Sequence, residues 1–574
     1  MATTVTLFAA VVAWWRYWRR PGRGRWLAAA VALGLALAAK LTGALLLPLT
    51  LLLGYVAAPS PRRLRPALVW LATLPVAALT LWALYGFAWD GRPMPGYWQA
   101  WRLLLTAAEA GHANFFLGQV METGSWLYLP VTLLLKTPPL SLALLLLAPL
   151  ALWRGRRAAD WRAVAFLVLP AALLLAATAA SRLNYGYRYA LPAVPFLMVL
   201  GGLAVPWLWS RAAARAGLLL ALALTAVVAL RTHPDHLAYF NLLARGRGHD
   251  LLGDSNLDWG QDANRLGEYA RAYEAQTGRR LRFSYSGAVS PAHYGLGGVS
   301  LVEQFRAGQT DFAPANPPAG RYGLNVADLQ GTGLRLGLLT EIDLFDWFRR
   351  RQPLTTLGGS IFVYDVAAPA EGTWVAHCAT PGRLLPDAAA ERLVGRAGLR
   401  HVTFDCATSW VFPDDGAPGW YVLPPGAPWV ERWLGAGGPQ VVYRHRANAY
   451  GPDYVIAYWP GVPVVAESLR PHDGGVAQPA ALRAFGAQGS EWVTLWAVTA
   501  ATDAPLSVQA HLAAADGTTQ VADGLGYTTD QWRPGDLFLQ RHLFAAPGAA
   551  LETGLYNYVT LERVGPAVTL NADR

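Results

Sequence analysis

The sequence predicts a multi-pass α-helical membrane domain over residues 1–230, extracytoplasmic α/β domains over 231–366 and 367–461, and a C-terminal immunoglobulin-like β-sandwich over 462–574. Three observations carry this reading. Up to Leu230, long Leu/Ala/Val runs hold 20 basic and only 4 acidic residues, whereas the remainder holds 27 basic and 33 acidic. The positive charge of the first part lies mainly in short stretches between apolar runs, a pattern that orients helices in a membrane and does not point to nucleic acid. Beyond residue 461 the helical periodicity stops and strand-like alternation continues alone.

Taken in order, Ala2 to Trp15 is apolar and runs into Arg16, Arg19, Arg20, Arg23 and Arg25, which the positive-inside tendency places in the cytoplasm. No basic region precedes this run and no cleavage site follows it, so it does not read as a signal peptide. Leu27 to Val56 is interrupted by Lys40, Thr42 and Gly43, and the next basic cluster, Arg62, Arg63 and Arg65, also belongs in the cytoplasm. Two cytoplasmic flanks require an even number of crossings, so a hairpin of two short helices turning near Lys40 is expected.

Leu68 to Phe87 returns outward into the largest loop, Trp89 to Trp126, whose aromatic residues suit interfacial helices. From Tyr128 the chain re-enters, and Thr137, Pro138 and Pro139 should break the helix just after Lys136, leaving that lysine at a broken helix end or at the interface. Leu140 to Trp153 crosses inward, Ala163 to Ala180 outward, Ala190 to Trp209 inward and Gly217 to Leu230 outward. That makes about eight apolar segments, long enough in sum for a cell-membrane protein with its C-terminal domains outside.

Only Lys40 and Lys136 are lysines among the 47 basic residues, and both lie in apolar surroundings. Such an ammonium calls for an anionic partner or snorkels to the interface. Arg182 and Arg188, in the short turn Ser181 to Tyr189, fall on the same expected face as Lys136, and a cationic floor there suits a phosphate-bearing lipid headgroup or simply marks the interface.

In the C-terminal part, Asp254, Asn256, Asp258 and Asp262 have calcium-loop spacing, but Trp259 and Arg265 stand where glycine and a bidentate glutamate belong. Helix capping is the plainer use, with Asp262 to Gln276 as an amphipathic helix. LRFSYSG, RYGLNVADLQG and GGSIFVYDV are expected strands, EIDLFDWFRRRQ a helix, and the segment from Thr373 to Gly461 alternates likewise around the helix AAAERLVGRAG. The sandwich is expected from WVTLWAVTA, LSVQAHLAA, FLQRHLFA and TGLYNYVTL. Cys378 and Cys406 are either a disulfide, which an extracytoplasmic location favours, or an unlinked buried pair.

Several strings resemble the polyprenyl-phosphate-dependent membrane glycosyltransferases related to protein O-mannosyltransferases, the GT-C class. They are AAKLTGALLLPL from Ala38, HANFFLG from His112, WLYLPVTLLLKTPP from Trp126, LNYGYRYALPAVPFL from Leu183, HPDHLAYFNLLA from His233 and DSNLDWGQD from Asp254. Their order over residues 1–366 is what makes the likeness specific. The resemblance implies a GT-C-like helical domain and transfer of a sugar from a polyprenyl-phosphate donor to a protein or glycan acceptor on the outer face. Such chemistry needs a carboxylate to take the acceptor proton and cations to steady the leaving phosphate. The family's principal aspartate lies in a first outer loop that would precede Met1, so the expected catalytic candidates within the chain are Glu122 and His112. Expected contacts to the lipid phosphate are Lys136, Arg182, Arg188 and Lys40. No cofactor is fixed by the residues, and a divalent cation bound by an outer-loop carboxylate is an open alternative. The competing reading is a non-catalytic, membrane-anchored glycan-binding or assembly protein built on the same scaffold.

Overall fold

A computed structural model describes residues 2–58, 64–155, 160–181, 183–287, 289–336, 343–426, 428–434, 437–447, 451–461, 468–473, 478–514 and 517–572. The helical block opens with helices α1 (Ala2–Arg19), α2 (Arg23–Ala39), α3 (Leu46–Ala57) and α4 (Arg65–Leu84). The chain reverses at Lys40, whose backbone is extended between α2 and a short 3-10 turn. Near the start of α1 the Thr3 hydroxyl donates to Ala39 O, the end of α2, at 3.5 Å, and near its finish the Trp14 indole donates to Thr50 O of α3 at 2.8 Å. One helix thus meets both arms of the expected hairpin. Gly43 makes the reversal fit, because a Cβ there would stand 2.2 Å from Ala36 O.

Helix α5 (Pro95–Ala110) buries only Tyr97 and leaves Leu103 and Leu105 bare, as an interfacial helix would. Helices α6 (Tyr128–Lys136) and α7 (Pro139–Arg154) meet at 114°, broken where the Pro138–Pro139 pair removes backbone donors. Helices α8 (Trp161–Ala179), α9 (Val194–Gly202), α10 (Val205–Trp209) and α11 (Ala212–Thr232) complete the block. Among the described residues α4, α8 and α11 alone are long and apolar enough to cross a membrane, and the bent α6–α7 pair makes up to 4. Of the other expected crossings, Leu41–Ala57 and Val194–Trp209 are shorter apolar helices, and α1 and α2, though continuous, do not meet the length and apolarity of a span, so the expected count is reached only by including them. Charge separates the two ends of the block. Arg19 pairs with Asp160 at 2.7 Å at one end, while Lys40 stands over the Tyr189 ring at the other.

Among the described residues beyond α11 the chain builds four sheets. The first sheet orders Arg282–Phe283, Gly320–Asn325, Ile361–Val366 and Thr355–Leu357 and is flanked by helix α12 (Ala263–Thr277). The expected strand RYGLNVADLQG ends at Asn325, whose side chain caps the helix Val326–Gln330 by accepting from Ala327 N. The expected helix after residue 341 shrinks to Asp346–Arg349; residues 341 and 342 lie outside the described ones. Asp262 does not cap α12. Its carboxylate accepts from the Ser360 hydroxyl at 2.7 Å and from Arg265 at 2.9 Å.

The second sheet runs Gln440–His445, Tyr454–Trp459, Gly419–Leu423, Trp374–Cys378, Arg400–Phe404, the last three parallel, with helix Asp387–Val394 as the crossover. Buried Asp343 ties it to the preceding domain by accepting from Arg446 Nη2 at 2.6 Å. Two further sheets form the sandwich. One of them takes in Ser409–Phe412, which pairs with Leu537–Gln540, so a strand from before residue 461 belongs to the sandwich and a single core joins Trp374, Trp410, Trp459 and Trp492. Arg400 grips Asp536 across this junction with bonds of 2.5 and 2.7 Å.

Candidate functional site

At the Lys40 end of the helical block, four separate segments bring aromatic and charged groups together. Helix α5 stops at Gly111, whose φ of 76° turns the chain and delivers His112. The His112 ring stacks on Tyr185 at 4.1 Å, and Tyr185 stacks on Tyr189 at 5.3 Å. The Arg188 guanidinium lies 5.0 Å from the Tyr185 centroid and 4.6 Å from that of Trp259. Lys40 Nζ stands 4.0 Å over Tyr189. Ring faces hold both cations in place by their quadrupoles and leave N–H donors for another partner.

The carboxylate of this cluster is Asp254. Its φ of 53° is in the left-handed region, which aspartate adopts more readily than most residues other than glycine. Next to it the chain is clamped onto the 185–189 turn. The Ser255 hydroxyl donates to Tyr185 O, Asn256 Oδ1 accepts from Tyr187 N at 2.9 Å, and Asn256 Nδ2 donates to the Tyr128 hydroxyl at 2.8 Å. Gly186, at φ 88°, admits this contact, since a Cβ there would crowd Asn256 Oδ1 at 2.9 Å. The clamp sets Asp254 Oδ2 at 3.4 Å from His112 Nε2.

Both of those atoms are buried without a hydrogen bond, and so are Arg188 Nε and both amide atoms of Asn114. A buried polar atom left unpaired costs about 1–3 kcal/mol, so a group of them in one place marks where a polar ligand belongs. Beside the cluster an apolar cavity of about 200 Å³ runs between Leu104, Leu105 and Ala108 of α5 and Leu174 and Ala177 of α8, with Lys40 and Tyr189 at its head. A second apolar cavity, about 410 Å³, lies between α7, α11 and Phe240.

Of the remaining expected residues, Lys136 and Glu122 have partners within the chain. Lys136 is buried at the α6 end, donates to Leu237 O and Asn256 O at 2.6 Å each and stands 4.4 Å over Phe240, so its contacts are to the chain's own backbone. Glu122 forms a two-pronged pair with Arg335, with Nη2 to Oε2 at 2.7 Å, and stays exposed. Arg182 lies outside the described residues. Cys378 and Cys406 are joined as a disulfide. The four residues with calcium spacing do not converge: Asn256 turns to Tyr128, Asp258 accepts from Asn325, and Asp262 is taken by Ser360 and Arg265. A group that could hold a metal is instead His377, Asp387 and His401, in the second sheet domain.

The sequence points to His112, Arg188 and Lys40, which the fold gathers, and to Asp254 only by its calcium-loop spacing; the places of Tyr185, Tyr189 and Trp259 around them come from the structure. The aromatic string around Tyr185 and the acidic string from Asp254 were visible, but their contact across the fold was not. Compared with known protein families, curated proteins and solved structures, the chain matches none of them.

Proposed function

We propose that the chain is a membrane glycosyltransferase that moves a sugar from a polyprenyl-phosphate donor to an acceptor at the outer face. The observation that carries this is the apolar cavity headed by Lys40, with Arg188 held against the same Tyr189 ring at 5.6 Å. An isoprenoid chain would fill the cavity and its phosphate would meet the two cations. The sugar would then lie against Trp259, whose exposed indole suits the face of a pyranose.

In the reaction the acceptor oxygen attacks the anomeric carbon, the bond from that carbon to the phosphate oxygen breaks, and polyprenyl phosphate departs. The acceptor proton goes to the Asp254–His112 pair, whose facing atoms have no other hydrogen bond. Arg188 and Lys40 take up the charge that develops on the leaving phosphate. Glu122, committed to Arg335, has no part in this scheme.

The test is turnover by the full chain in liposomes given a polyprenyl-phosphate hexose and a panel of protein and glycan acceptors. Acceptor-dependent release of polyprenyl phosphate, lost in Asp254→Asn, supports the assignment. Saturable binding of the donor with no release for any acceptor would leave the binding-protein reading in its place.

A further inference from the structure

The second sheet domain carries a cluster that the proposed transfer chemistry does not use. His377 projects from strand Trp374–Cys378 and His401 from the neighbouring parallel strand Arg400–Phe404, where Val375 pairs with His401 and His377 with Thr403. Val375 and His377 alternate onto one face of the sheet, and the register puts His401 on that same face. The crossover helix Asp387–Val394 packs over it through Ala390, which joins Val375 and Val422 in one apolar cluster. Its first turn presents Asp387 and, one turn on, Glu391.

Three ligand atoms meet there. His377 Nε2 and His401 Nδ1 are 2.9 Å apart, His401 Nδ1 and Asp387 Oδ1 are 2.9 Å apart, and His377 Nε2 and Asp387 Oδ1 are 3.5 Å apart. Ligands about 2.1 Å from a common first-row ion stand roughly 2.9–3.4 Å from one another at octahedral to tetrahedral angles. On its far side His401 Nε2 stands 3.5 Å from Glu391 Oε1, which also accepts from Leu399 N. A carboxylate in that place selects the tautomer with the proton on Nε2, giving the ring the carboxylate partner for its non-ligating N–H that metal-bound histidines commonly have, and turns the Nδ1 lone pair inward. That lone pair then faces the Asp387 carboxylate, an arrangement that a cation between them would make favourable.

The geometry points to a divalent transition-metal site formed by His377, His401 and Asp387, with zinc the ion best matched to two imidazoles and one carboxylate. His377 is sealed within the domain while the Asp387 side chain is 52% exposed, so the ion would keep open positions on the solvent side for water or an anionic oxygen ligand. Arg383, which holds the same Asp387 oxygen, is the competing cation.

The experiment is a calorimetric titration of the chelator-treated full chain in detergent with zinc chloride alone, repeated with cobalt(II) to read the ligand field by visible absorption. One equivalent of zinc is expected, abolished in Asp387→Asn and His401→Ala at unchanged circular dichroism. Glu391→Gln, which touches the site only through His401, should weaken binding about tenfold to a hundredfold. Arg383→Ala should tighten it. Absence of saturable binding, or the same affinity in Asp387→Asn, His401→Ala and Glu391→Gln, would overturn the assignment.

Discussion

His112 Nε2 faces Asp254 Oδ2 at 3.4 Å, and neither atom has a hydrogen bond although both are buried. Two strings that are distant in sequence thus supply an imidazole and a carboxylate to one spot beside two cations. If they accept the proton in the proposed transfer, they should be needed for turnover and not for donor binding. Asp254→Asn is the cleaner variant, because asparagine tolerates the left-handed backbone that Asp254 adopts. Loss of a positioned base costs about 10²–10⁴ in rate. Turnover should fall by that much with donor affinity intact, whereas Glu122→Gln should leave both unchanged. Equal rates for wild type and Asp254→Asn would remove the pair from the chemistry.

Lys136 serves the fold. Its ammonium ties α6 to the segment that carries Asn256, and Lys136→Ala would leave Leu237 O and Asn256 O without that donor. Each unsatisfied carbonyl costs about 1–3 kcal/mol when water cannot reach it. The variant should therefore melt at a lower temperature in detergent, with any surviving folded protein binding donor lipid as wild type does. Undiminished thermal stability together with lost lipid binding would return Lys136 to the phosphate.

Much of this architecture is legible in the chain itself. Lys40 and Gly43 interrupt an apolar run and the hairpin turns there; Pro138 and Pro139 break a helix where proline must. The alternation after residue 477 yields the expected strands. What the sequence hides are partnerships. Ser409–Phe412 is four residues without a pattern to say which sheet takes it, and it joins the sandwich. Lys136 finds backbone carbonyls, which have no sequence signature. Glu122 finds Arg335, and Asp254 finds His112, through the packing of the soluble domain on the helical block. The three zinc-type ligands are spaced irregularly along the chain, and only the parallel register and the crossover helix bring them together.

Asp328 gives the soluble part a pH dependence. It is buried, accepts from the Ser286 hydroxyl at 2.6 Å, and loss of solvent pushes its carboxyl up from 3.8 to about 6. Because the folded chain holds this proton more tightly than the unfolded chain, the stabilisation is full below pH 3.8 and is lost as pH rises through about 6. The loss amounts to about 2–3 kcal/mol for a shift of this size. Thermal melts of wild type between pH 4 and 7 should fall relative to Asp328→Asn, which has no such proton to lose. Parallel melting curves over that range would show that Asp328 is ionised throughout.

If Lys40 at the head of the apolar cavity and Arg188 against the same Tyr189 ring form a phosphate site, polyprenyl monophosphate should bind the full chain in nanodiscs through both. The arrangement predicts saturable binding that weakens about tenfold or more in Lys40→Ala and in Arg188→Ala, each loss of a charged contact being worth roughly 1.5–3 kcal/mol. Arg188→Lys should not restore it, because a lysine cannot reproduce a planar guanidinium held between Tyr185 and Trp259. Binding of the dephosphorylated alcohol as tightly as the phosphate, or affinity unchanged by both alanine variants, would contradict the claim.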